Sequence, residues 1–473
     1  MIKLTENITA QRVFDIFEEI SKIPRGSGNT KAIADYLVKF AKDRGLEYYR
    51  DESDNVVIKK AASAGYESRP TVILQGHTDM VLASSDGSTA KIENEGVTLL
   101  VDGDFIHADG TTLGADDGVA VAYALALLDS KDIPHPKIEA VFTSDEETGL
   151  IGAAALDCSV LEGKILINID SDDEGIFTAG CAGGRRVDIT LPVKRNSVSG
   201  DKFTIIIDGL KGGHSGVDIN KRRTNASKRI AEYISSIDGV RLISLSGGIA
   251  DNAIPSMAEA DFVCDLSIDE IHLLTDKIKA SISEEAEKEN ITVIKSGKAE
   301  SAVTEADTEK ILALIKELPS GIINMSEDVE GQVETSLNLG IMKLSEDFLD
   351  LSFSLRSSKN EKKQALSERI EGVAKSFGAT VKSHGDYPGW DYKKDSHLRD
   401  TICRVYLEKY GKEAKVITIH AGLECGLFSD KIPELDCISM GPDAYDIHTP
   451  DERLSISSTV RVFEFILDLL KNI

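Results

Sequence analysis

Cysteine is scarce in this sequence, and its few cysteines are scattered. The 473-residue chain contains six, at Cys158, Cys181, Cys264, Cys403, Cys425 and Cys437. Because no two of them form a C-x-x-C pair, neither a zinc ribbon nor a disulfide framework is indicated. Unpaired cysteines of this kind are typical of a reducing compartment, so we expect a cytoplasmic location.

Long apolar runs and an excess of basic charge are also missing. No segment approaches the ~20 apolar residues that a membrane-spanning helix requires, and the charged residues among the first 23 leave no apolar core of a signal peptide. Lysine and arginine number 54 against 80 aspartate and glutamate, a formal net charge of −26. Because such a chain would repel a phosphate backbone, we expect neither nucleic acid nor a membrane as a partner.

The motifs of several common enzyme classes are absent as well. The sequence has no H-E-x-x-H metalloprotease motif, no G-x-S-x-G nucleophile elbow and no P-loop. The glycines of Gly26-Ser27-Gly28 are too few for a dinucleotide-binding fingerprint. Any chemistry must therefore come from another arrangement of residues.

Length and hydrophobic periodicity predict two domains, because 473 residues exceed what one hydrophobic core usually supports. In the first third of the chain, helical stripes alternate with short apolar runs, which is typical of a mostly parallel sheet flanked by helices. The predicted elements are a helix at 33–40 ended by Gly45, a helix at 119–128, and strands at 72–74, 138–142 and 165–169.

The pattern changes near Gly183, where strands follow one another without intervening helices. Beyond this point the predicted strands are 187–192, 203–208, 260–266 and 348–355, and the predicted helices are 226–234, 273–289, 397–409 and 459–470. We therefore expect an α/β catalytic domain formed by residues 1–183 and 385–473. An inserted α+β lid domain is expected at 184–384, a plausible domain size.

Five clusters of acidic residues and histidines carry the candidate chemistry. They are Gly76-His77-Thr78-Asp79, Gly114-Ala115-Asp116-Asp117-Gly118, Ser144-Asp145-Glu146-Glu147-Thr148-Gly149, Asn168-Ile169-Asp170-Ser171 and Asp446-Ile447-His448-Thr449-Pro450. Four of the five are expected where the strand ends of one sheet converge, the edge at which open α/β sheets bind ligands. Because burying so many carboxylates together is prohibitive without cations, the clusters predict a metal site.

Each cluster has an ordinary structural explanation when it is taken alone. Glu146 and Glu147 would suit a helix N-terminus, and Asp116 would suit a helix cap. His77 alone is more often a hydrogen-bonded structural histidine than a ligand. The shared position at strand ends favours one functional site over several separate structural roles.

Taken in order, these motifs resemble the aminoacyl-histidine dipeptidases, also called Xaa-His or cytosolic non-specific dipeptidases, of the zinc aminoacylase and carboxypeptidase clan. The resemblance extends over nearly the whole chain and includes Gly180-Cys181-Ala182-Gly183-Gly184 and Gly212-Gly213-His214-Ser215-Gly216. It implies a catalytic domain of the zinc-exopeptidase type with a lid. It also implies hydrolysis of dipeptides, both Xaa-His and broader ones.

The resemblance implies two metal ions for each chain. By this resemblance, His77, Asp116 and Asp170 hold one ion. Asp116, Glu147 and His448 hold the other, so that Asp116 bridges the two. Zinc is the expected metal, with cobalt and manganese as alternatives, because mixed histidine and carboxylate ligands suit all three.

The remaining roles also follow from the resemblance. Asp79 orients the first metal-binding histidine, and Glu146 is the general base for attack by a metal-bridged hydroxide. His214 stabilises the oxyanion from the lid, although a surface loop histidine is the ordinary alternative. Asn252 and Arg356 clamp the free carboxylate of the substrate, since arginine's planar fork fits a carboxylate bidentately. The ordinary alternative for Arg356 is an exposed residue on a strand edge.

One position departs from the commonest pattern of these dipeptidases, because Asp117 stands where asparagine is usual. Related tripeptidases and deacylases carry Asp-Asp there, so an N-acyl amino acid deacylase or a tripeptidase is the alternative function. A catalytically inactive binding protein would have lost ligands or the base, and none is missing.

We expect small peptides as partners. A homodimer is left open, as is whether His214 acts within its own chain.

Overall fold

The structure is a computed structural model that describes residues 3, 5–281 and 288–473. The chain forms two compact units. The first comprises Met1–Cys181, Tyr392–Thr418 and Leu423–Ile473, and the second comprises Ala182–Asp391 and Ile419–Gly422. The predicted insertion at 184–384 lies within the second unit.

The helices and strands are numbered in chain order. The helices are α1 (Ile8–Ser21), α2 (Lys31–Arg44), α3 (Ala90–Glu95), α4 (Ala115–Asp129), α5 (Ile151–Ala155), α6 (Ala226–Ile234), α7 (Ile268–Ser281), α8 (Glu305–Glu317), α9 (Asn360–Ser376), α10 (His397–Tyr410), α11 (Glu424–Lys431) and α12 (Ile456–Asn472). The strands are β1 (Glu47–Arg50), β2 (Val56–Lys60), β3 (Val72–His77), β4 (Leu99–Asp102), β5 (Phe105–Ala108), β6 (Ile138–Thr143), β7 (Ile165–Asn168), β8 (Ile176–Cys181), β9 (Gly183–Pro192), β10 (Arg195–Asp208), β11 (Gly213–His214), β12 (Arg241–Gly247), β13 (Ala253–Ile254), β14 (Ala258–Val263), β15 (Asn290–Val303), β16 (Gly321–Met325), β17 (Val333–Leu344), β18 (Phe348–Ser357), β19 (Thr380–Tyr387), β20 (Lys415–Ile419), β21 (Asp436–Ser439), β22 (Ala444–Tyr445) and β23 (Arg453–Ser455).

An eight-stranded sheet forms the centre of the first unit, in the order β1-β2-β6-β3-β7-β21-β8-β20. The four central strands β6, β3, β7 and β21 are parallel. Antiparallel pairs join β1 to β2, β2 to β6, and β21 to β8. The α/β class is confirmed, and its parallel character is concentrated in the strands that lead to the predicted site.

The central strands have continuous apolar sequences because they are buried. Every residue of β3 and of β6 is buried, as expected for strands covered on both faces. The Ala-rich helix α4 is buried along nearly its whole length, and α1 packs against it through the same core. The predicted end of α2 is confirmed, since Gly45 adopts the left-handed conformation with φ 66° and its N–H bonds to the carbonyl of Ala41.

The second unit is built on a nine-stranded sheet in the order β15-β10-β14-β12-β17-β18-β9-β19, with β16 paired to β17. The described pairs of this sheet are antiparallel. Strand β9 alternates buried and more exposed residues, which is typical of a sheet with one covered face. Helices α6 and α9 contact its strands and share one core with them.

The predicted helix at 273–289 is only partly matched. Helix α7 ends at Ser281, residues 282–287 lie outside the described residues, and β15 begins at Asn290.

The six cysteines are free thiols. Among the helices that the structure describes, none is both long enough and apolar enough to cross a membrane.

Candidate metal centre

The predicted ligands of the first unit follow the carboxyl ends of adjacent parallel strands. His77 is the last residue of β3, Glu147 follows β6, and Asp170 follows β7. Strand β3 pairs with both β6 and β7 in parallel register. Their carboxyl ends therefore lie at one edge of the sheet, where ligands of open α/β sheets bind.

Asp116 lies between two histidines at the start of α4. Its Oδ1 is 3.0 Å from His77 Nε2, and its Oδ2 is 3.0 Å from His448 Nε2. The same nitrogen of His448 is 2.8 Å from Glu147 Oε1. One carboxylate thus presents an oxygen to each of two ligand groups, the arrangement expected of a bridging ligand.

Three sets of side chains bring their ligand atoms within 4.8 Å of one another in the described part of the chain. The sets are His77, Asp116 and Asp170; Asp116, Glu147 and His448; and His77, Glu146 and Glu147. The first two sets share Asp116 and coincide with the two predicted ligand sets. All five predicted ligands therefore lie together, with Glu146 beside them.

Asp79 is fully buried and connects this cluster to two loops. Its Oδ1 accepts the backbone N–H of Glu146 at 2.9 Å, and its Oδ2 accepts the hydroxyl of Ser27 at 2.8 Å. The same carboxylate lies 3.4 Å from Nδ1 of His77. Although burial acts in the opposite direction, the contacts with His77 and Ser27 hold the pKa of Asp79 below its ordinary value.

The electrostatic field of the cluster favours positive charge. Hydrogen bonds to Asp116 and Glu147 raise the pKa of His448 to about 10. Burial opposes protonation of His77, yet its bonds to Asp116 and Asp79 raise its pKa well above the ordinary value. The same negative charge would favour a bound cation, and metal binding would release protons from its histidine ligands.

Two ordinary structural explanations of the acidic motifs are wrong. Glu146 and Glu147 do not begin a helix, because they lie in a turn and α5 starts only at Ile151. The side chain of Asp116 does not cap α4, because both of its carboxylate oxygens contact histidines. Burial, together with the charges of Glu424 and Glu147, raises the pKa of Glu146 to about 8.

Sequence reasoning missed two buried charged residues that hold the N-terminus of α4. Glu452 accepts the backbone N–H groups of Leu113, Gly114 and Ala115 at 2.7, 2.9 and 2.8 Å. Arg25 is buried and donates to the carbonyl of Gly114 and to two carbonyls just beyond β3. Gly114 has φ 70°, and a Cβ there would lie 2.5 Å from Arg25 Nη2, so the position requires glycine.

Asp117, the residue that departs from the usual pattern, is turned away from the ligand sets. It is buried, and its Oδ2 accepts the backbone N–H of His77 at 3.1 Å. Its side chain belongs to none of the three sets found in the described residues. The difference between aspartate and asparagine therefore bears on the support of β3 rather than on ligation.

The three predicted lid residues lie in the second unit. His214 on β11 is paired with Ala253 on β13, next to Asn252. Nδ1 of His214 accepts the backbone N–H groups of Gly216 and Val217, each at 3.2 Å. The proton of the neutral ring is therefore on Nε2, which makes that nitrogen a hydrogen-bond donor.

Arg356 of β18 is a buried arginine rather than an exposed residue on a strand edge. Its Nη1 donates to the hydroxyl of Tyr387 at 3.2 Å, while its Nε has no partner among the described residues. Burial and the charge of Arg356 lower the pKa of His214.

A second histidine of this unit was missed. His420 Nε2 lies 2.7 Å from the Ser336 hydroxyl, and Ser336 is the register partner of Arg356. Burial and the charge of Arg356 lower the pKa of His420 to about 3. Its short segment, 419–422, begins with the last residue of β20 and belongs to the second unit. No local motif signals this return of the chain.

Comparisons with known proteins show what the chain is similar to. A family model described as peptidase family M20/M25/M40 matches residues 73–472. The cytosol non-specific dipeptidase of Escherichia coli is 34% identical over 98% of this chain and 98% of its own length. The aminoacylhistidine dipeptidase of Vibrio alginolyticus has a solved structure with a TM-score of 0.91 and 33% identity, over 98% of this chain and 96% of that one. A tripeptidase from Staphylococcus aureus shares the fold at a TM-score of 0.57 and 18% identity, over 98% of both chains.

Proposed function

The chain belongs to peptidase family M20/M25/M40 and hydrolyses peptide bonds, and we propose that it is a dipeptidase that uses two divalent metal ions. Its substrates are dipeptides, both Xaa-His and broader ones. The observation that carries the proposal is the position of Asp116, which presents one carboxylate oxygen to each of two histidines. Relatives named as dipeptidases at 33% and 34% identity support this substrate class.

The donor set fits two divalent cations. Two imidazoles and three carboxylates are the mixed nitrogen and oxygen ligands that suit zinc, cobalt or manganese. Asp170 Oδ2 is buried and has no hydrogen-bond partner among the described residues, a costly arrangement that a cation would relieve. His77, Asp116 and Asp170 would hold one ion, and Asp116, Glu147 and His448 the other.

When bound, such ions supply Lewis acidity, which polarises a scissile carbonyl and makes a water molecule easier to deprotonate. A bound cation would favour the ionised form of Glu146 by opposing the effects that raise its pKa. The carboxylate of Glu146 then takes the proton of the attacking water and later gives it to the leaving amine, a role typically worth about 10²–10⁴-fold. Asp79 keeps this base in place through the backbone N–H of Glu146. It also orients the His77 ring, so that the buried carboxylate of Asp79 supports both proton transfer and metal binding.

The second unit supplies the groups that recognise the substrate. The Nε2–H of His214 donates to the developing oxyanion. Asn252 and Arg356 bind the free carboxylate at the end of the dipeptide, which limits the leaving side of the substrate to one residue. The name of the Escherichia coli relative and the free cysteines support a cytosolic location.

Replacement of the shared carboxylate tests the two-metal site. Metal analysis of purified Asp116→Ala should show loss of both ions, because this residue serves both. Asp117→Asn is the matched control, since the neighbouring carboxylate lies outside the ligand sets. It should retain two ions. Tight binding of two ions by Asp116→Ala would contradict the proposed bridge.

A substrate panel separates the dipeptidase from its alternatives. Dipeptides, tripeptides and N-acetyl amino acids should be assayed with zinc, cobalt and manganese in turn. A higher kcat/KM for dipeptides than for the other two classes is expected. A preference for N-acetyl amino acids or tripeptides would instead identify a deacylase or a tripeptidase on the same scaffold.

A further inference from the structure

Four polar side chains form a buried group beneath the candidate metal centre. The group consists of Gln75 on β3, Thr143 on β6, Asn168 on β7 and Glu424 at the start of α11. Each is at most 1% exposed. None belongs to the predicted catalytic or ligand residues, so the group has no role in the mechanism above.

Glu424 joins the group together. Its Oε2 accepts a hydrogen bond from Gln75 Nε2 at 2.5 Å and one from the Thr143 hydroxyl at 2.7 Å. Oε1 of Gln75 in turn accepts a hydrogen bond from Asn168 Nδ2 at 2.6 Å. Strands β6, β3 and β7 are consecutive in the sheet. The carboxylate oxygen therefore bonds to the ends of two parallel strands and, through Gln75, is connected to the end of a third.

The three strand residues lie just before residues of the candidate site. Gln75 precedes His77 by two positions, and Asn168 precedes Asp170 by two. Residues two apart on an extended strand share one face of the sheet, so the position of Gln75 bears directly on that of His77. Thr143 is the last residue of β6, immediately before the loop that carries Glu146.

A buried carboxylate is a costly way to support strand ends. Only Oε2 of Glu424 is hydrogen-bonded, and Oε1 has no partner among the described residues. Burial raises its pKa to about 7. Since well-packed apolar residues commonly stabilise a core as well as or better than buried charged groups, stability alone gives a poor account of a glutamate here.

We propose that Glu424 is a positioning residue for the two-metal centre, which sets the strand ends that carry His77, Asp170 and Glu146 through its hydrogen bonds to Gln75 and Thr143. The inference rests on the proposed function, because it requires that these residues bind metal. Groups that orient metal ligands typically change metal affinity or activity by about 10–100-fold when they are removed. Glu424 touches neither substrate nor metal in this role.

Metal titration of the stripped protein tests the proposal. Wild type and Glu424→Gln should be freed of metal with a chelator and titrated with Zn²⁺ by calorimetry, and the Co²⁺ absorption spectrum should be recorded for each. Glu424→Gln keeps the shape but removes the charge and replaces one carboxylate oxygen by an amide nitrogen. We expect Zn²⁺ to bind about 10–100-fold more weakly, with an altered Co²⁺ spectrum.

Glu139→Gln is the matched control, because Glu139 is equally buried on the same strand as Thr143. It lies near the other end of β6, where it accepts the backbone N–H groups of Glu162 and Gly163, each at 3.0 Å. This variant should lose thermal stability but bind Zn²⁺ like wild type. An unchanged Zn²⁺ affinity in Glu424→Gln, with a stability loss like that of Glu139→Gln, would reduce Glu424 to a structural residue and overturn the proposal.

Two further measurements keep the outcomes distinct. If Glu424→Gln does not fold, Thr143→Val removes one of the two donors with little change in shape. A several-fold weaker Zn²⁺ affinity in Thr143→Val is then expected, and a wild-type affinity would refute the proposal. A wild-type protein that binds no Zn²⁺, Co²⁺ or Mn²⁺ would instead contradict the proposed function itself.

Discussion

Asp79 Oδ1 accepts the backbone N–H of Glu146 at 2.9 Å. The residue expected to orient a metal-binding histidine therefore also holds the loop that carries the expected base. The second oxygen of Asp79 accepts the N–H of Glu147 at 3.3 Å, so the same carboxylate also restrains an expected ligand. Ligation and proton transfer share one support, and a change at Asp79 should affect both.

Replacement of Asp79 by asparagine keeps the side-chain volume but removes the charge and one acceptor. We expect Zn²⁺ affinity to fall by about 10–100-fold, because the ring of His77 is less well oriented. A fall in kcat should accompany it at saturating metal, because the Glu146 loop is released. Ser27→Ala removes only one donor to Asp79 and should have a smaller effect on both quantities. Wild-type affinity together with wild-type kcat in Asp79→Asn would refute the shared support.

Glu146→Gln separates proton transfer from metal binding. The amide keeps the shape but does not accept a proton, so kcat should fall by about 10²–10⁴-fold. Metal content should stay near that of wild type, since the five ligands are intact, and it serves as the internal control. If kcat remains within a few-fold of wild type, another group deprotonates the water and Asp79 becomes the next candidate.

Arg356→Ala tests the predicted carboxylate clamp. A bond to a charged group contributes about 1.5–3 kcal/mol, so kcat/KM for dipeptides should fall by roughly 10–100-fold, chiefly through KM. Arg185→Ala is the matched control, because Arg185 lies on the adjacent strand β9 and pairs with Asp386. Its kinetics should match those of wild type.

Dipeptide amides complete this test without any mutation, because they lack the terminal carboxylate. The wild-type enzyme should hydrolyse a dipeptide much faster than its C-terminal amide, and Arg356→Ala should reduce that difference. Equal rates on both substrates with the wild-type enzyme would refute the carboxylate clamp and favour the alternative function, an N-acyl amino acid deacylase.

Asp129 at the end of α4 should make stability depend on pH. Hydrogen bonds from Arg44 and Arg12, at 2.6 and 2.8 Å, hold its pKa below the ordinary value, against the effect of partial burial. A lowered folded-state pKa gives stability that is present above the unfolded-state pKa of about 3.9 and lost as the pH falls through the folded-state value. Because the pairs are partly exposed, the contribution is roughly 0.5–1 kcal/mol.

Asp129→Asn should therefore lower the Tm of the first unit by about 2 °C at pH 7, and this difference should shrink below pH 4. Calorimetric scans of both proteins between pH 3 and 7 measure it. Asp132→Asn changes an exposed carboxylate nearby and should leave Tm unchanged. A difference that grows as the pH falls would have the wrong sign for this explanation.

The sequence predicted the parts of the site that follow local patterns. Apolar runs marked the buried strands β3, β6 and β7, and the acidic residues directly after them could be placed at one sheet edge. His448 has no such pattern of its own, and only its place in a series of motifs that resembles a known family connected it to Asp116. Local periodicity indicates which face of an element is buried, and it does not identify partners distant in sequence.

The residues that were missed depend on such distant contacts. Glu452 follows Thr-Pro-Asp, a pattern that predicts an exposed turn. Its carboxylate nevertheless accepts hydrogen bonds from backbone N–H groups about 340 residues earlier. Arg25 and Glu424 likewise resemble surface charges in the sequence. Their burial is compensated by groups that only the folded chain brings near, so composition and spacing carry no signal for them.

The position of β21 in the sheet has a consequence for synthesis on the ribosome. This strand lies between β7 and β8, although it is made more than 250 residues after β8. At about 5–20 residues per second, the interval is on the order of tens of seconds. During this time β7 and β8 lack the neighbour that joins them, while the whole second unit is synthesised. A nascent chain that stops before β21 also lacks His448, so the ion that would need this histidine should not be captured until His448 has been translated.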